Sequence, residues 1–344
     1  MASPNLPSTM RKWTYASAVG GLDQHLTLQP AAPLPKPSRT HHLIRVHAVA
    51  LNPVDYKPAE APIGRFAVPK PATPGFDISG RIVTPAAGSK LKAGDLVFGA
   101  ASTNPLAGGG LADYVSAPVE GIVAVPAGMK LTEAAGVPVA AATAYASLAA
   151  YLVDKPGTRV FLNGGSGGVG TFAIQIAKAL GAHVTVSCSA RNADLCRSLG
   201  ADEVLDYTST RPLLEQLRGS EPFDHVVDNV FNDPELYYQA HTYTTGTAKF
   251  VEVASGPSFG FVKFALRSQL QPAVLGGGRR KCVIAVAEVK NAVLERIGEW
   301  IEKGKVRVVV EEVFGMEEVV GAFRRLKTGR ARGKVVVDVI GEGK

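Results

Sequence analysis

Strand-like and helix-like segments alternate from Arg159 to Ala254, and no other feature of the chain constrains its fold as tightly. "RVFLN" precedes "TFAIQIAKAL", "HVTVSC" precedes "ADLCRSL", "EVLDY" precedes "PLLEQLR", "HVVDNV" precedes "PELYYQAH", and "KFVEVA" closes the series. Tight hairpins cannot join parallel strands; a crossover is needed, and a helix supplies it. The alternation therefore predicts a parallel, doubly wound α/β sheet.

The first crossover begins with a glycine-rich turn, in which Gly165, Gly167 and Gly170 make G-x-G-x-x-G and Ser166, Gly168 and Val169 fill the spaces. In a chain with 37 glycines the spacing alone is a weak signal. Its context is stronger, because the turn follows an apolar strand and opens a helix at the start of the series. There, glycines permit a tight turn and a close approach of backbone N–H groups to a pyrophosphate, whose charge the helix N-terminus attracts. A dinucleotide is the expected ligand. Folds that bind NAD place an Asp or Glu about 20 residues beyond the loop for the ribose hydroxyls. Here that place falls in "SCSARN", Ser187 to Asn192, which holds no acid. Ser187 and Ser189 can donate hydrogen bonds to a 2′-phosphate, Arg191 can pair with its charge, and Asn192 closes the turn. NADPH is the expected cofactor. The plainer reading of Arg191 is a surface residue beginning the next helix.

The first third of the chain is built differently. Short alternating segments such as "KWTYAS", "HLTLQP", "HLIRVHAVALNP", "FDISGRIVTP" and "DLVFGA" are separated by Pro and Gly, which predicts a mainly antiparallel, barrel-like domain. Composition turns to alanine and leucine at "LTEAAGVPVAAATAYASLAAYL". The expected division is residues 1–130 for the barrel, 131–285 for the nucleotide domain and 286–344 for a return to the barrel. Three cysteines in no C-x-x-C pair, an N-terminus without a signal-like apolar region and no membrane-spanning run lead us to expect a cytoplasmic protein. The net charge of +7 is scattered apart from "GGGRRK" and "RRLKTGRARGK", so nucleic acid is not an expected partner.

Blocks in order along nearly the whole chain resemble the medium-chain dehydrogenase/reductase superfamily, in its zinc-less quinone oxidoreductase-like and enoyl reductase branch. They include "ALNPVDYK", "PGFDISGRI", "GGLADYV", "AAATAYASL", "NGGSGGVGTFAIQIAKALGAHV", "SLGADEVLDY" and "RARGKVVVDV". The resemblance implies a GroES-like β-barrel catalytic domain with an inserted Rossmann domain. It further implies that Asn52 and Thr143 hold the nicotinamide end, and that Ser189, Arg191 and Tyr207 surround the 2′-phosphate. Asn229 and Val253 would line the nicotinamide edge, and Lys334 is a further cofactor candidate with a solvated turn lysine as its alternative.

No metal is expected, because "NPVD" stands where zinc alcohol dehydrogenases carry their first Cys ligand and the four-Cys lobe is missing. His41, His42 and His47, in one strand, are expected on the barrel surface. Without a metal, hydride reaches a conjugated enone, alkenal, enoyl thioester or quinone more easily than a simple ketone, because the charge left behind is delocalised. Lys57, the Tyr56 hydroxyl and Thr143 are the expected stabilisers of that charge. The expected partners are thus a small conjugated carbonyl or quinone and a second copy of the chain in a homodimer. A cofactor-binding structural, regulatory or RNA-associated protein with little turnover is the alternative. Ser255 to Gly277, which would shape the acceptor pocket, has no readable pattern.

Overall fold

The computed structural model describes residues 6–36, 38–62, 68–104, 107–153, 155–253, 259–286 and 288–341. The start of the N-terminal segment, the last residue of "KFVEVA" and the first four residues of the unread stretch, Ser255–Ser258, lie outside them. The chain divides into two compact units, Met1–Ala142 with Glu288–Gly304 and Val308–Lys344, and Thr143–Ala287 with Lys305–Arg307.

In the first unit, β1 (Thr9–Thr14) and β2 (Thr27–Pro33) form an antiparallel ribbon. The long strand β3 (His41–Leu51) pairs antiparallel with β4 (Asp77–Thr84), which pairs with β5 (Leu96–Ala100). β6 (Tyr114–Pro118) also joins β3, and β7 (Ile122–Ala124) joins β5. Because β3 is central and apolar almost throughout, both of its faces are covered. This corrects the expectation for two of its histidines: His42 is fully buried and His47 is buried, while His41 is half-buried. His42 Nδ1 accepts the Ala86 N–H at 3.1 Å, and burial lowers its pKa.

The second unit carries β8 (Arg159–Asn163), β9 (His183–Cys188), β10 (Glu203–Asp206), β11 (Phe223–Asp228), β12 (Thr244–Val253) and β13 (Lys281–Ala285). They form one sheet in the order β10-β9-β8-β11-β12-β13, every neighbouring pair parallel. The predicted doubly wound sheet is present, with one strand more than the sequence pattern revealed. "KCVIA" follows a segment without period and is too short to announce itself. Apolar side chains of β8, β11 and β12, including Phe161, Phe223, Val226 and Phe250, pack with Tyr237, Tyr243 and Phe264 into a core.

The last strands, β14 (Val310–Gly315) and β15 (Lys334–Asp338), return to the first unit, where β15 pairs antiparallel with β3. Residues 305–307 belong to the second unit because the Gln175 side chain accepts the Arg307 N–H at 2.8 Å and donates to its carbonyl at 3.0 Å. The units also divide later than the change in composition at Leu131. Ser79 Oγ donates to the Leu131 carbonyl at 2.7 Å, and Ala135 packs with Ala48, Ala50 and Val336. Composition reports helix formation; it does not report which sheet the helix packs on. Among the described residues no helix is long and apolar enough to cross a membrane.

Candidate active site

The glycine turn lies at the carboxyl end of β8. A Cβ on Gly165 would come within 2.9 Å of Val186 Cβ, and one on Gly170 within 2.1 Å of the Gly164 carbonyl oxygen, so close packing explains both glycines. Gly167 is different. Its φ of −80° suits any residue, and its Cβ would meet nothing nearer than 3.7 Å. The open space above the turn is what remains to account for a glycine there. The turn leads into the helix Gly168–Ala179, whose N-terminus no side chain caps. The leading N–H groups of Gly168, Val169 and Gly170 therefore have no intrahelical acceptor and form the positive end of the helix dipole.

A polar row crosses the carboxyl edge of the sheet. Ser187 donates to Asn163 Oδ1 at 2.5 Å, Asn163 Nδ2 donates to Asp228 Oδ1 at 2.8 Å, and Glu252 lies beside Asp228 in the strand register. Burial raises the pKa of Asp228; burial and then the Asp228 charge push Glu252 up to about 10, so Glu252 is a neutral acid at physiological pH. Ser187 is a correction. Its one O–H is used on Asn163 while its oxygen accepts the Gly164 N–H at 3.0 Å, so the fully buried hydroxyl braces the turn and has no proton for a phosphate.

Several polar atoms around this edge are left open. Ser189 Oγ, Asn192 Oδ1, Asn229 Oδ1 and Glu252 Oε1 are buried without a hydrogen-bond partner among the described residues. Buried polar atoms are rarely left so. Asn192 Nδ2 reaches Ser166 Oγ at 3.0 Å and Asn229 Nδ2 reaches the Asn163 carbonyl at 3.0 Å, which leaves their oxygens as the open positions. Arg191 is exposed and makes no hydrogen bond or ion pair among the described residues, and the Tyr207 side chain is exposed at the end of β10. Val253 is the half-buried last residue of β12. Thr143 is buried in the helix Pro138–Leu152.

In the first unit a buried charged cluster surrounds Asn52. Its Nδ2 donates to Asp77 Oδ2 at 2.8 Å, and its Oδ1 accepts Lys334 Nζ at 2.5 Å. Lys334 also lies 3.5 Å from Asp77, which takes the Val139 N–H at 3.0 Å. The Asn52 N–H goes to Asp55 Oδ2 at 2.7 Å, and the Gly75 N–H to Asp55 Oδ1 at 3.2 Å. Lys334 is thus neither a solvated turn residue nor a free cation. Burial lowers its pKa against the pull of Asp77 and Asp55. Burial pushes Asp55 up to about 7, with the Asp77 charge adding to the effect and the Asn52 N–H opposing it. One lysine thus faces two carboxyls.

Asp55 closes a 3-10 turn, Pro53–Asp55, that leads directly into Tyr56 and the helical turn Lys57–Glu60. Both candidate donors are half-buried. Burial lowers the pKa of Lys57, whose ammonium has no ion-pair partner among the described residues. Sequence reading missed Asp55, Asp77, Asn163, Asp228 and Glu252. The available signal was an acid inside an apolar strand, as in "GFDISG" and "FVEVA", since burying a carboxyl there is unfavourable without a partner or a proton.

Residues 38–127 match the alcohol dehydrogenase GroES-like domain, and residues 199–337 match a domain described as zinc-binding dehydrogenase. The trans-enoyl reductase pgmF of Aspergillus terreus is 45% identical over 353 residues, covering 98% of each chain. The chain belongs to the medium-chain dehydrogenase/reductase superfamily. A chloroplast envelope quinone oxidoreductase homolog of Arabidopsis thaliana is 31% identical, with 94% of this chain and 96% of that protein covered. The solved quinone oxidoreductase of Coxiella burnetii superposes with a TM-score of 0.83 at 28% identity, covering 96% of this chain and 99% of that one. The protein is an oxidoreductase of this superfamily, whose enzymes use nicotinamide cofactors. Among the described residues no three His, Cys, Asp or Glu side chains are grouped to hold an ion. The three cysteines are buried free thiols.

Proposed function

We propose that this medium-chain reductase uses NADPH to saturate an activated C=C bond in an enone, 2-alkenal or enoyl thioester. The observation that carries the cofactor choice is the acid-free turn after β9, where, among the described residues, Ser189 Oγ is buried without a partner and Arg191 makes no ion pair. A 2′-phosphate would take a hydrogen bond from the first and charge from the second, while an acid at the same place would repel it. When bound, the dihydronicotinamide supplies a hydride; the chain's own residues orient it and manage the charge. Gly165 to Gly170 would cradle the pyrophosphate with backbone N–H groups. Asn229 and Val253, at the carboxyl ends of β11 and β12, would border the ring.

Hydride addition to the far carbon of a conjugated carbonyl leaves negative charge on its oxygen. Lys57 suits that charge, because a half-buried ammonium with no counter-ion among the described residues is poorly solvated and gains most from an anion. The Tyr56 hydroxyl and Thr143 are the further donors, and Asn52 and Lys334 act within the cluster that holds the Tyr56–Lys57 turn. Full-length similarity to a trans-enoyl reductase favours C=C reduction, and similarity to quinone oxidoreductases supports quinones as the second substrate class.

The test follows NADPH oxidation with enoyl thioesters, 2-alkenals and quinones, with product analysis. A saturated product with its carbonyl intact is expected. An allylic alcohol would exclude the C=C assignment, and cofactor binding without turnover of any acceptor would favour the structural or regulatory alternative. Lys57→Met should slow single-turnover hydride transfer roughly tenfold to a thousandfold, as loss of an oxyanion donor does, and leave NADPH affinity nearly unchanged.

A further inference from the structure

We infer that Lys327 is a positioning residue for Tyr56, acting from a helix more than half the chain away in sequence. The inference rests on Tyr56 being a donor at the reacting site.

Three elements converge behind the Tyr56 turn. Lys327 ends the helix Val319–Lys327, which packs on the barrel core through Val319, Ala322 and Phe323. Its Nζ donates to Glu60 Oε1 at 2.8 Å and to Asp23 Oδ1 at 2.6 Å, and it stands 5.7 Å from the centroid of the Tyr56 ring. Glu60 is the last residue of the Lys57–Glu60 turn; its own N–H bonds back to the Tyr56 carbonyl at 3.0 Å, and its Oε1 also takes the Leu22 N–H at 2.6 Å. Tyr56 also packs against the barrel core. An isolated surface ion pair would hold little. This one has three partners, all largely shielded, with side-chain exposures of 24% for Lys327, 13% for Asp23 and 23% for Glu60. The Asn52–Asp55 contacts grip the same turn from its N-terminal end. Tyr56 and Lys57 are therefore held from both sides.

The arrangement also sets the charge felt by the phenol. Glu60 and Lys327 face Tyr56 with opposite signs, and Asp23 and Arg324 lie behind them, 3.4 Å apart. Glu60 makes the phenol a weaker acid and Lys327 makes it a stronger one, on top of burial, which weakens it most. Removing the ammonium leaves the Glu60 carboxylate unbalanced beside the ring.

The test combines NMR titration of tyrosine labelled at Cζ with single-turnover reduction in the full-length protein. In Lys327→Met the Tyr56 resonance should titrate at higher pH than in the wild type. Hydride transfer should slow about twofold to fivefold, the range expected for a cation–ring contact at a partly exposed site, with NADPH affinity unchanged. Lys327→Arg should restore both. Glu60→Gln keeps an oxygen for Leu22 and Lys327 and should shift the Tyr56 titration the opposite way, which keeps the test open if Lys327→Met folds poorly. A Tyr56 titration that moves in neither variant overturns the inference. Tyr56→Phe separates the two readings: normal turnover in that variant removes the donor role of Tyr56, whereas slowed turnover that Lys327→Met does not reproduce removes only Lys327.

Discussion

The glycine turn of the second unit and the Asn52 cluster of the first handle buried polarity in opposite ways. Around the turn, four polar atoms on Ser189, Asn192, Asn229 and Glu252 are buried and unpartnered. In the cluster, Asn52, Asp55, Asp77 and Lys334 are equally buried but bonded to one another or to backbone N–H groups. The first region leaves polar atoms open to a ligand. The second is a finished scaffold, whose work is to hold a turn in place. Substitutions should therefore affect binding in one region and stability in the other.

The largest effect is expected where the scaffold is broken. Lys334→Met strands the Asp77 carboxylate and should cost about 3–5 kcal/mol of unfolding free energy, as removal of one partner of a buried ion pair does. Chemical denaturation measures it. Lys334→Met combined with Asp77→Asn should recover much of the loss; an additive loss would show that the two residues are not coupled.

A smaller effect, confined to binding, is expected at the turn after β9. Arg191→Ala should weaken NADPH by about 1.5–3 kcal/mol in titration calorimetry and leave NADH nearly unchanged. Equal losses for the two cofactors would remove Arg191 from the phosphate site. Gly167→Ala sharpens the same contrast. With an ordinary φ and open space around it, its loss as a helix cap and its gain in backbone rigidity should leave stability changed by no more than about 1 kcal/mol, yet lower dinucleotide affinity. Unchanged affinity would leave that glycine unexplained.

The last effect is a pH slope. The Glu252 carboxyl is raised from 4.5 to about 10, so the folded state holds its proton where the unfolded state has released it. Its contribution to stability is complete below about pH 4.5 and declines steadily as pH rises toward 10. Glu252→Gln should flatten that part of the stability profile. An unchanged slope would mean that the carboxyl is ionised in the folded protein.

Patterns that are local in sequence were legible in it. The strand–helix alternation, the glycine turn and the missing acid after β9 are short-range features, and each predicted structure or ligand chemistry from its own few residues. Burial was not legible. Ser187 and Arg191 read alike as polar residues near a phosphate, but the strand pairing of β9 with β8 turns the Ser187 hydroxyl onto Asn163, while Arg191, just past the strand, is exposed. Lys334 was readable as a cofactor residue or a solvated lysine. It is 282 residues from the Asn52 amide it bonds, and only the pairing of β15 with β3 brings them together.

The sequence by itself determined the two architectures, the alternation of strand and helix and the glycine turn, because backbone propensity and hydrophobic period act over a few residues. The tertiary structure alone decided which polar groups are saturated and which stay open, because a buried charge is stable only beside partners that the chain supplies from distant strands.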